Sequence, residues 1–356
     1  MSNGIYIHIP FCLAKCAYCD FNSYSGKMNM RDDYVTALIN EMKPFAGISA
    51  DSVYIGGGTP TVLTNEQFKR LINAIKDNFA LADDTEFTVE SNPATADKEK
   101  YSFLKSLGVN RLSIGVQSFC DSELKALSRV HSSFEATQAV LMAREAGFDN
   151  ISIDLMEAIP RQTKESLLEN VKKAIELSVN HISCYSLIIE EGTPFYDNTP
   201  ALPSDEEERE MHHAVCESLE KAGFIHYEIS NFGKNGKISR HNMKYWTGVP
   251  YYGFGAGAHS FYGNVRYSNI SGIEEYIKAE DKRFEAIEIS ETEAECERFM
   301  LGFRILTGFE TKGKFHEKLK KLSEKGLISY DGKFARLTRL GEDLANLVFM
   351  EFLADE

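Results

Sequence analysis

The sequence predicts an α/β protein: an incomplete barrel of six βα units followed by a separate small α+β module. Three observations predict it. Six short β-branched or aromatic runs alternate with longer amphipathic runs over residues 1–225. The alternation stops after a helix at Asp205–Ala222. The unusual sequences, rich in Cys, Gly and polar residues, sit just after strand candidates. Strands separated by helices run parallel with right-handed crossovers, which puts the helices outside and buries both strand faces. Six units are too few to close the usual eight-stranded barrel, so the sheet is expected to curl and stay open at one side.

In chain order, the strand candidates are Ile5–Ile9, Ser52–Ile55, Glu86–Val89, Arg111–Val116, Ile151–Leu155 and His181–Ile188. Thr64 with Gln67 reads as a capping box, and Phe68, Leu71, Ile72, Ile75 and Phe79 follow on one helical face. Ser132 with Glu135 is a second box, and Gly147 stands where that helix should stop. Residues 226–298, rich in Gly, Asn, Tyr and His near their start, read as a loop-rich connection. The six glutamates of Glu285–Glu297 read as a solvated helix face. Residues 299–356 read helix, helix, hairpin, helix, with a basic helix at Lys318–Lys325 and the Asp331-Gly332 turn inside Ile328–Leu337. This order resembles a winged helix.

The chain has 356 residues, 43% of them apolar and 26% charged, an ordinary globular composition. Its net charge of −14 repels phosphate backbones, so no nucleic-acid partner is expected even though segment 312–339 is locally basic. No apolar run reaches the ~18 residues of a membrane span. Met1–Ile5 has neither a basic n-region nor a long apolar h-region, so a cytoplasmic location with reduced thiols is expected.

Three of the seven cysteines, Cys12, Cys16 and Cys19, fall within eight residues after the first strand. In a reduced compartment such clustering points to metal. Tetrahedral zinc needs a fourth ligand, for which His8 is the nearest candidate. A [4Fe–4S] cluster takes one ligand per iron, so three thiolates leave one iron open to a cofactor. The spacing favours the cluster. Cys120, Cys184, Cys216 and Cys296 read as packing residues.

Cys-x3-Cys-x2-Cys on the first loop of a βα barrel resembles the radical SAM superfamily. His8-Ile-Pro-Phe-Cys12, Gly56-Gly-Gly-Thr-Pro60, Glu90-Ser-Asn-Pro93, Gly115-Val-Gln-Ser118, Arg129-Val-His131 and Gly255-Ala-Gly-Ala-His259 narrow the resemblance to the oxygen-independent coproporphyrinogen III oxidases and their relatives, over nearly the whole chain. The resemblance implies a [4Fe–4S] cluster on Cys12, Cys16 and Cys19. S-adenosylmethionine then chelates the fourth iron, and the reduced cluster cleaves it to a 5′-deoxyadenosyl radical. It further implies Gly57, Gly58 and Thr59 along the methionyl end, where a Cβ would obstruct the backbone. Glu90 falls to the ammonium and Arg129 to the carboxylate. Gln117 and Asp154 fall to the ribose hydroxyls, and Tyr6 packs on the cofactor.

The family has two branches. The coproporphyrinogen dehydrogenases carry another cysteine two residues after the third, and a long N-terminal extension. Here that position is Phe21, and five residues precede Tyr6. The heme chaperone branch reads Cys-Asp-Phe and carries a His-Asn element with a downstream Tyr-Trp pair, matched by His241-Asn-Met-Lys-Tyr-Trp246. The resemblance therefore implies a heme chaperone that serves acceptor proteins, membrane respiratory enzymes among them. Cleavage of S-adenosylmethionine is then a capacity of the scaffold, and decarboxylation of coproporphyrinogen III is the alternative. His241 is the implied heme ligand, with His259 next; His212 and His213 read as solvated. One corner departs from the family: an aromatic, a glycine and a leucine commonly precede Pro160, whereas this chain has Glu157, Ala158 and Ile159.

Overall fold

The computed structural model describes residues 2–353. Strands β1 (Asn3–Ile9), β2 (Ser49–Gly57), β3 (Ala80–Ser91), β4 (Arg111–Gln117), β5 (Ile151–Glu157) and β6 (His181–Ser186) lie parallel in that order. The connecting helices are α1 (Arg31–Met42), α2 (Asn65–Asn78), α3 (Lys98–Ser106), the short α4 (Asp121–Ala126), α5 (Ser133–Glu145) and α6 (Lys164–Glu176). After β6 come α7 (Pro194–Asp197) and α8 (Asp205–Lys221). Both expected capping boxes form: Thr64 and Ser132 each accept from the backbone N–H three residues on, and Gln67 and Glu135 answer. The result is the incomplete (β/α)6 barrel expected from the alternation.

The strands alternate on a period of two. Ile5, Ile7, Val53, Ile55, Leu112, Ile114, Ile151 and Ile153 belong to the apolar layer beneath the helices, all fully buried. Each contributes about 1.5–3 kcal/mol by leaving water. The other face of the same strands carries Tyr54, Glu90, Arg111, Ser113, Asp154 and Ser183, which line a cavity inside the barrel. Both faces are buried, as a parallel sheet requires, but the inner one is polar.

Residues 226–298 are more ordered than their composition suggests. They contribute β7 (Ile225–Glu228), β8 (Asn231–Gly233), α9 (Arg240–Thr247), β9 (Tyr251–Phe254), β10 (His259–Tyr262), β11 (Val265–Asn269), α10 (Ile273–Lys278) and β12 (Arg283–Glu288). β9 runs parallel to β1, and β10–β12 extend that edge antiparallel; β8 and β7 extend the edge at β6. The strands are short and packed by aromatic pairs such as Tyr252 on Tyr262 at 4.5 Å, so no apolar period marks them in the sequence. Gly253 has a tertiary cause as well: a Cβ there would lie 2.1 Å from the His259 carbonyl oxygen. The glutamate run is likewise not one helix. Ser290 caps α11 (Glu291–Gly302) and splits it from the exposed edge strand β12.

At the C-terminal end, β13 (Phe309–Glu310), α12 (His316–Glu324), β14 (Ile328–Tyr330), β15 (Phe334–Leu337), α13 (Arg339–Asp343) and α14 (Ala345–Met350) follow α11, with sheet order β13-β15-β14. This winged-helix-like unit has its own core around Phe299, Phe303, Leu319, Leu322 and Phe352. It joins the barrel side through backbone bonds: Ile229 N–H donates to Arg304 O at 3.1 Å, and Leu306 N–H to Tyr227 O at 3.0 Å.

Candidate functional site

The cysteine loop leaves β1 and is pinched at its neck, where Cys12 N–H donates to Tyr24 O (3.0 Å) and Tyr24 N–H to Pro10 O (2.7 Å). His8 ties the far side. Its Nε2–H donates to Asn22 O at 2.8 Å and its Nδ1 accepts from the Tyr6 hydroxyl at 2.9 Å. Burial lowers its pKa to about 4, so the ring is neutral and both nitrogens are used. It is not free to complete a zinc site. Cys12, Cys16 and Cys19 face one cavity of about 490 Å³ at the C-terminal ends of the strands. Cys12 Sγ lies 3.5 Å from Thr59 Oγ1, and Arg129 Nη1 lies 3.5 Å from Cys16 Sγ. Burial raises the Cys12 and Cys19 thiols, so a metal centre must displace protons there.

The glycine turn after β2 is shaped by close backbone approach. Gly58 N–H donates to Ile9 O at 2.9 Å and Thr59 N–H to Phe11 O at 2.8 Å, which clamps the turn against the cysteine loop. A Cβ on Gly58 would meet the Phe11 and Ile9 carbonyl oxygens at 2.9 and 3.0 Å and Cys12 Sγ at 3.0 Å. Two of these neighbours are backbone and cannot swing away. Gly58→Ala is therefore expected to cost about 1–3 kcal/mol in thermal or denaturant unfolding and to lower iron retention after anaerobic reconstitution. Gly57 has φ +111°, a conformation only glycine holds cheaply.

Glu90 is fixed by the Tyr54 hydroxyl (2.7 Å) and the Gly57 N–H (3.1 Å). Burial, with Asp154 nearby, pushes it up to about 7, and burial likewise pushes Asp154 up to about 6. Two such carboxyls inside one cavity make a seat for a cation. On the opposite side, Arg129 is anchored by Nη2 donating to Gly115 O at 2.6 Å, while its buried Nε has no partner among the described residues. That orphaned donor suits a carboxylate. Gln117 holds φ +65°, strained for a side chain, and accepts from the Tyr185 hydroxyl at 3.1 Å. The chemistry of this donor set fits a [4Fe–4S] cluster and a zwitterionic, cationic cofactor.

The structure gathers Cys12, Cys16, Cys19, Gly57, Gly58, Thr59, Glu90, Gln117, Arg129 and Asp154 around this one cavity. It does not bring His241 there, and it sets Tyr6 in an adjoining cavity that shares Gly57, Glu90 and Phe21 with this one. Tyr6 turns to His8 and lines that second cavity, of about 420 Å³, with His259, Phe21 and Tyr245. His241 sits on α9 at the N-terminal side of the barrel and is 1% exposed. Its Nδ1 meets Ser52 Oγ at 3.0 Å and its Nε2 meets the Tyr245 hydroxyl at 2.9 Å. With both ring nitrogens engaged, His241 does not fit the expected role of iron ligand; it plugs the barrel floor. The reason is α9 itself, whose first N–H groups, those of Arg240 and His241, donate to the Glu86 carboxylate (3.1 and 3.0 Å). His259, by contrast, is exposed.

Sequence reasoning missed Tyr54, Arg111, Ser113, Tyr185 and Asn242, which also line the main cavity. For Tyr54 and Ser113, the strand period was the available signal, since each alternates with apolar residues that face the helices. Arg111 is 2% exposed, its Nε and Nη1 have no partner among the described residues, and its charge opposes the upward shifts of Glu90 and Asp154. A lone arginine in a buried strand was the sign.

A cysteine-bearing loop over the mouth of an open (β/α)6 barrel defines a class, and residues 6–174 match the model of the radical SAM superfamily. Among curated proteins, the chain is 40% identical to the heme chaperone HemW of Bacillus subtilis (strain 168), over 98% of this chain and 99% of that one. It is 39% identical to HemW of Escherichia coli (strain K12), over 72% of this chain and 69% of the other. The solved structure of E. coli coproporphyrinogen III oxidase (HemN) superposes with a TM-score of 0.86 at 22% identity, covering 99% of this chain and 90% of that one. The chain belongs to the HemW heme chaperone family within the radical SAM superfamily.

Proposed function

We propose that this protein is a cytoplasmic heme chaperone that holds one [4Fe–4S] cluster on Cys12, Cys16 and Cys19, binds S-adenosylmethionine beside it, and passes heme to acceptor proteins. When bound and reduced, the cluster supplies an electron to the sulfonium of S-adenosylmethionine. The chain's own residues do the rest. Glu90 holds the ammonium, and Arg129 meets the carboxylate with its free Nε. Asp154 and Gln117 take the ribose hydroxyls, and the clamped Gly57–Thr59 turn keeps water and side chains out of the methionyl end.

The observation that carries the chaperone reading, rather than decarboxylation, is Phe21. It occupies the position of a fourth thiol, is 62% exposed, and lies on the edge of both cavities. Ile188 on the same rim and Leu13 in the cysteine loop are also exposed, at 67% and 55%. Large apolar side chains held in water next to a cofactor cavity suit a flat apolar macrocycle. His259, in the cavity that shares Phe21, is the accessible imidazole. The test is heme titration of anaerobically reconstituted protein. A Soret shift is expected for the parent, weakened about tenfold or more in His259→Ala and retained in His241→Ala. Turnover of coproporphyrinogen III by the same preparation, or no heme binding, would overturn the reading.

A further inference from the structure

A second constellation of ligand-forming side chains lies on the outer side of β5 and β6, away from the cofactor cavity. Helix α8 carries His212 and Cys216, four residues apart and so on one face. Strand β7 brings up His226. His212 Nε2 lies 3.5 Å from Cys216 Sγ, and His226 Nδ1 lies 3.9 Å from it; the three donor atoms are all within 4.8 Å of one another. Tetrahedral zinc with ordinary Zn–N and Zn–S bonds has N···S edges of about 3.6 Å. The two N···S separations bracket that edge, which puts the three donor atoms within reach of one ion.

Each outward-facing nitrogen has an acceptor. His226 Nε2 lies 3.0 Å from the carbonyl oxygen of Ile229, which only accepts, so the ring proton sits there and Nδ1 presents a lone pair. His212 Nδ1 lies 3.2 Å from Glu157 Oε2, a fully buried carboxylate that also accepts from Cys184 Sγ at 3.0 Å. The Nδ1 proton points to that carboxylate; against the effect of burial, the bonds to Cys216 and Glu157 push the ring up to about 11, so Nε2 also carries a proton, which an entering ion displaces. Two imidazole nitrogens thus converge on one buried sulfur, from α8 and from β7. A carboxylate and a carbonyl behind the two rings are the outer partners that metal-bound histidines carry. The Arg339 guanidinium of α13 lies beside Cys216.

We infer that His212 Nε2, Cys216 Sγ and His226 Nδ1 bind a zinc-class divalent cation, with Glu157 orienting His212 and solvent in the fourth position. The ion fastens α8 to β7, and β7 with the residue after it carries the backbone bonds of Tyr227 and Ile229 to the C-terminal unit, so it acts as a staple between barrel and winged helix. It is separate from the cluster, because none of its residues lines that cavity.

The test uses the full-length chain with Cys12, Cys16 and Cys19 replaced by alanine, so that the cluster loop can hold neither iron nor stray zinc. Elemental analysis after dialysis is expected to find about one zinc per chain. Cobalt(II) added to the metal-free protein should give a thiolate-to-cobalt charge-transfer band with tetrahedral d–d bands. Cys216→Ser is expected to lose the band, and Glu157→Gln, which keeps every ligand, to weaken zinc binding about 10–100-fold with an unchanged circular dichroism spectrum. If Cys216→Ser does not fold, zinc content and the cobalt spectrum of the parent decide alone. Substoichiometric zinc with no thiolate band in the parent, or full zinc retention in a folded Cys216→Ser, overturns the site. The three side chains are then a hydrogen-bonded cluster only.

Discussion

Glu90→Gln is expected to stabilise the cofactor-free protein at pH 8 while lowering its affinity for S-adenosylmethionine about a hundredfold. Burial raises the Glu90 pKa from its ordinary value to about 7. A carboxyl with a raised folded-state pKa favours folding below its unfolded value of about 4.5, and that contribution is lost as pH rises through 7. Above that window the ionised carboxylate costs on the order of 3 kcal/mol. Glutamine keeps the shape: its amide oxygen accepts from Gly57 N–H, and its N–H₂ donates to the Tyr54 hydroxyl oxygen. The variant should therefore melt higher than the parent at pH 8 and similarly near pH 5. Binding runs the other way, because the cofactor's ammonium loses its charge partner, worth about 1.5–3 kcal/mol. Melts at the two pH values and equilibrium dialysis on reconstituted protein check both halves. A variant less stable than the parent at pH 8 would refute the electrostatic account of the site.

Cys16→Ala is expected to abolish cluster assembly, with iron and sulfide near background after anaerobic reconstitution and loss of the charge-transfer absorption. A [4Fe–4S] cluster held by three thiolates has no spare protein ligand, and Phe21 offers none in place of the lost one. The fold should survive. Cys16 is only half-buried in a loop whose neck is held by the Cys12–Tyr24 and Tyr24–Pro10 backbone bonds, so unfolding should move by less than about 1 kcal/mol. Iron retained at the parent level would show that the three cysteines do not share one cluster.

How far the sequence reached depends on the range of the interactions involved. The six strands, the Thr64 and Ser132 caps, and the placing of Cys12–Cys19, Gly56–Pro60 and Glu90 at strand ends follow from local period and capping chemistry, and were legible. The short strands of residues 226–298 were not, because aromatic stacking and a close backbone approach at Gly253 that leaves no room for a Cβ, rather than apolar alternation, fix them. The glutamate run misled for a similar reason: Ser290 breaks it between an edge strand and a helix. His212 shows the limit most plainly. On a helix full of acids it reads as solvated, and only the fold places the buried Glu157 carboxylate 3.2 Å from it.

By itself, then, the sequence determined the barrel, the three-cysteine loop and the acidic-plus-arginine cradle, since periodicity, caps and a three-cysteine spacing are encoded within a few residues of one another. Only the tertiary structure decided that His241 stands apart from that cradle, that Arg111 and Asn242 line it, and that His212, Cys216 and His226 converge. Those outcomes depend on which strand or helix a residue meets from far along the chain, and on which of its polar atoms are already bonded when it arrives.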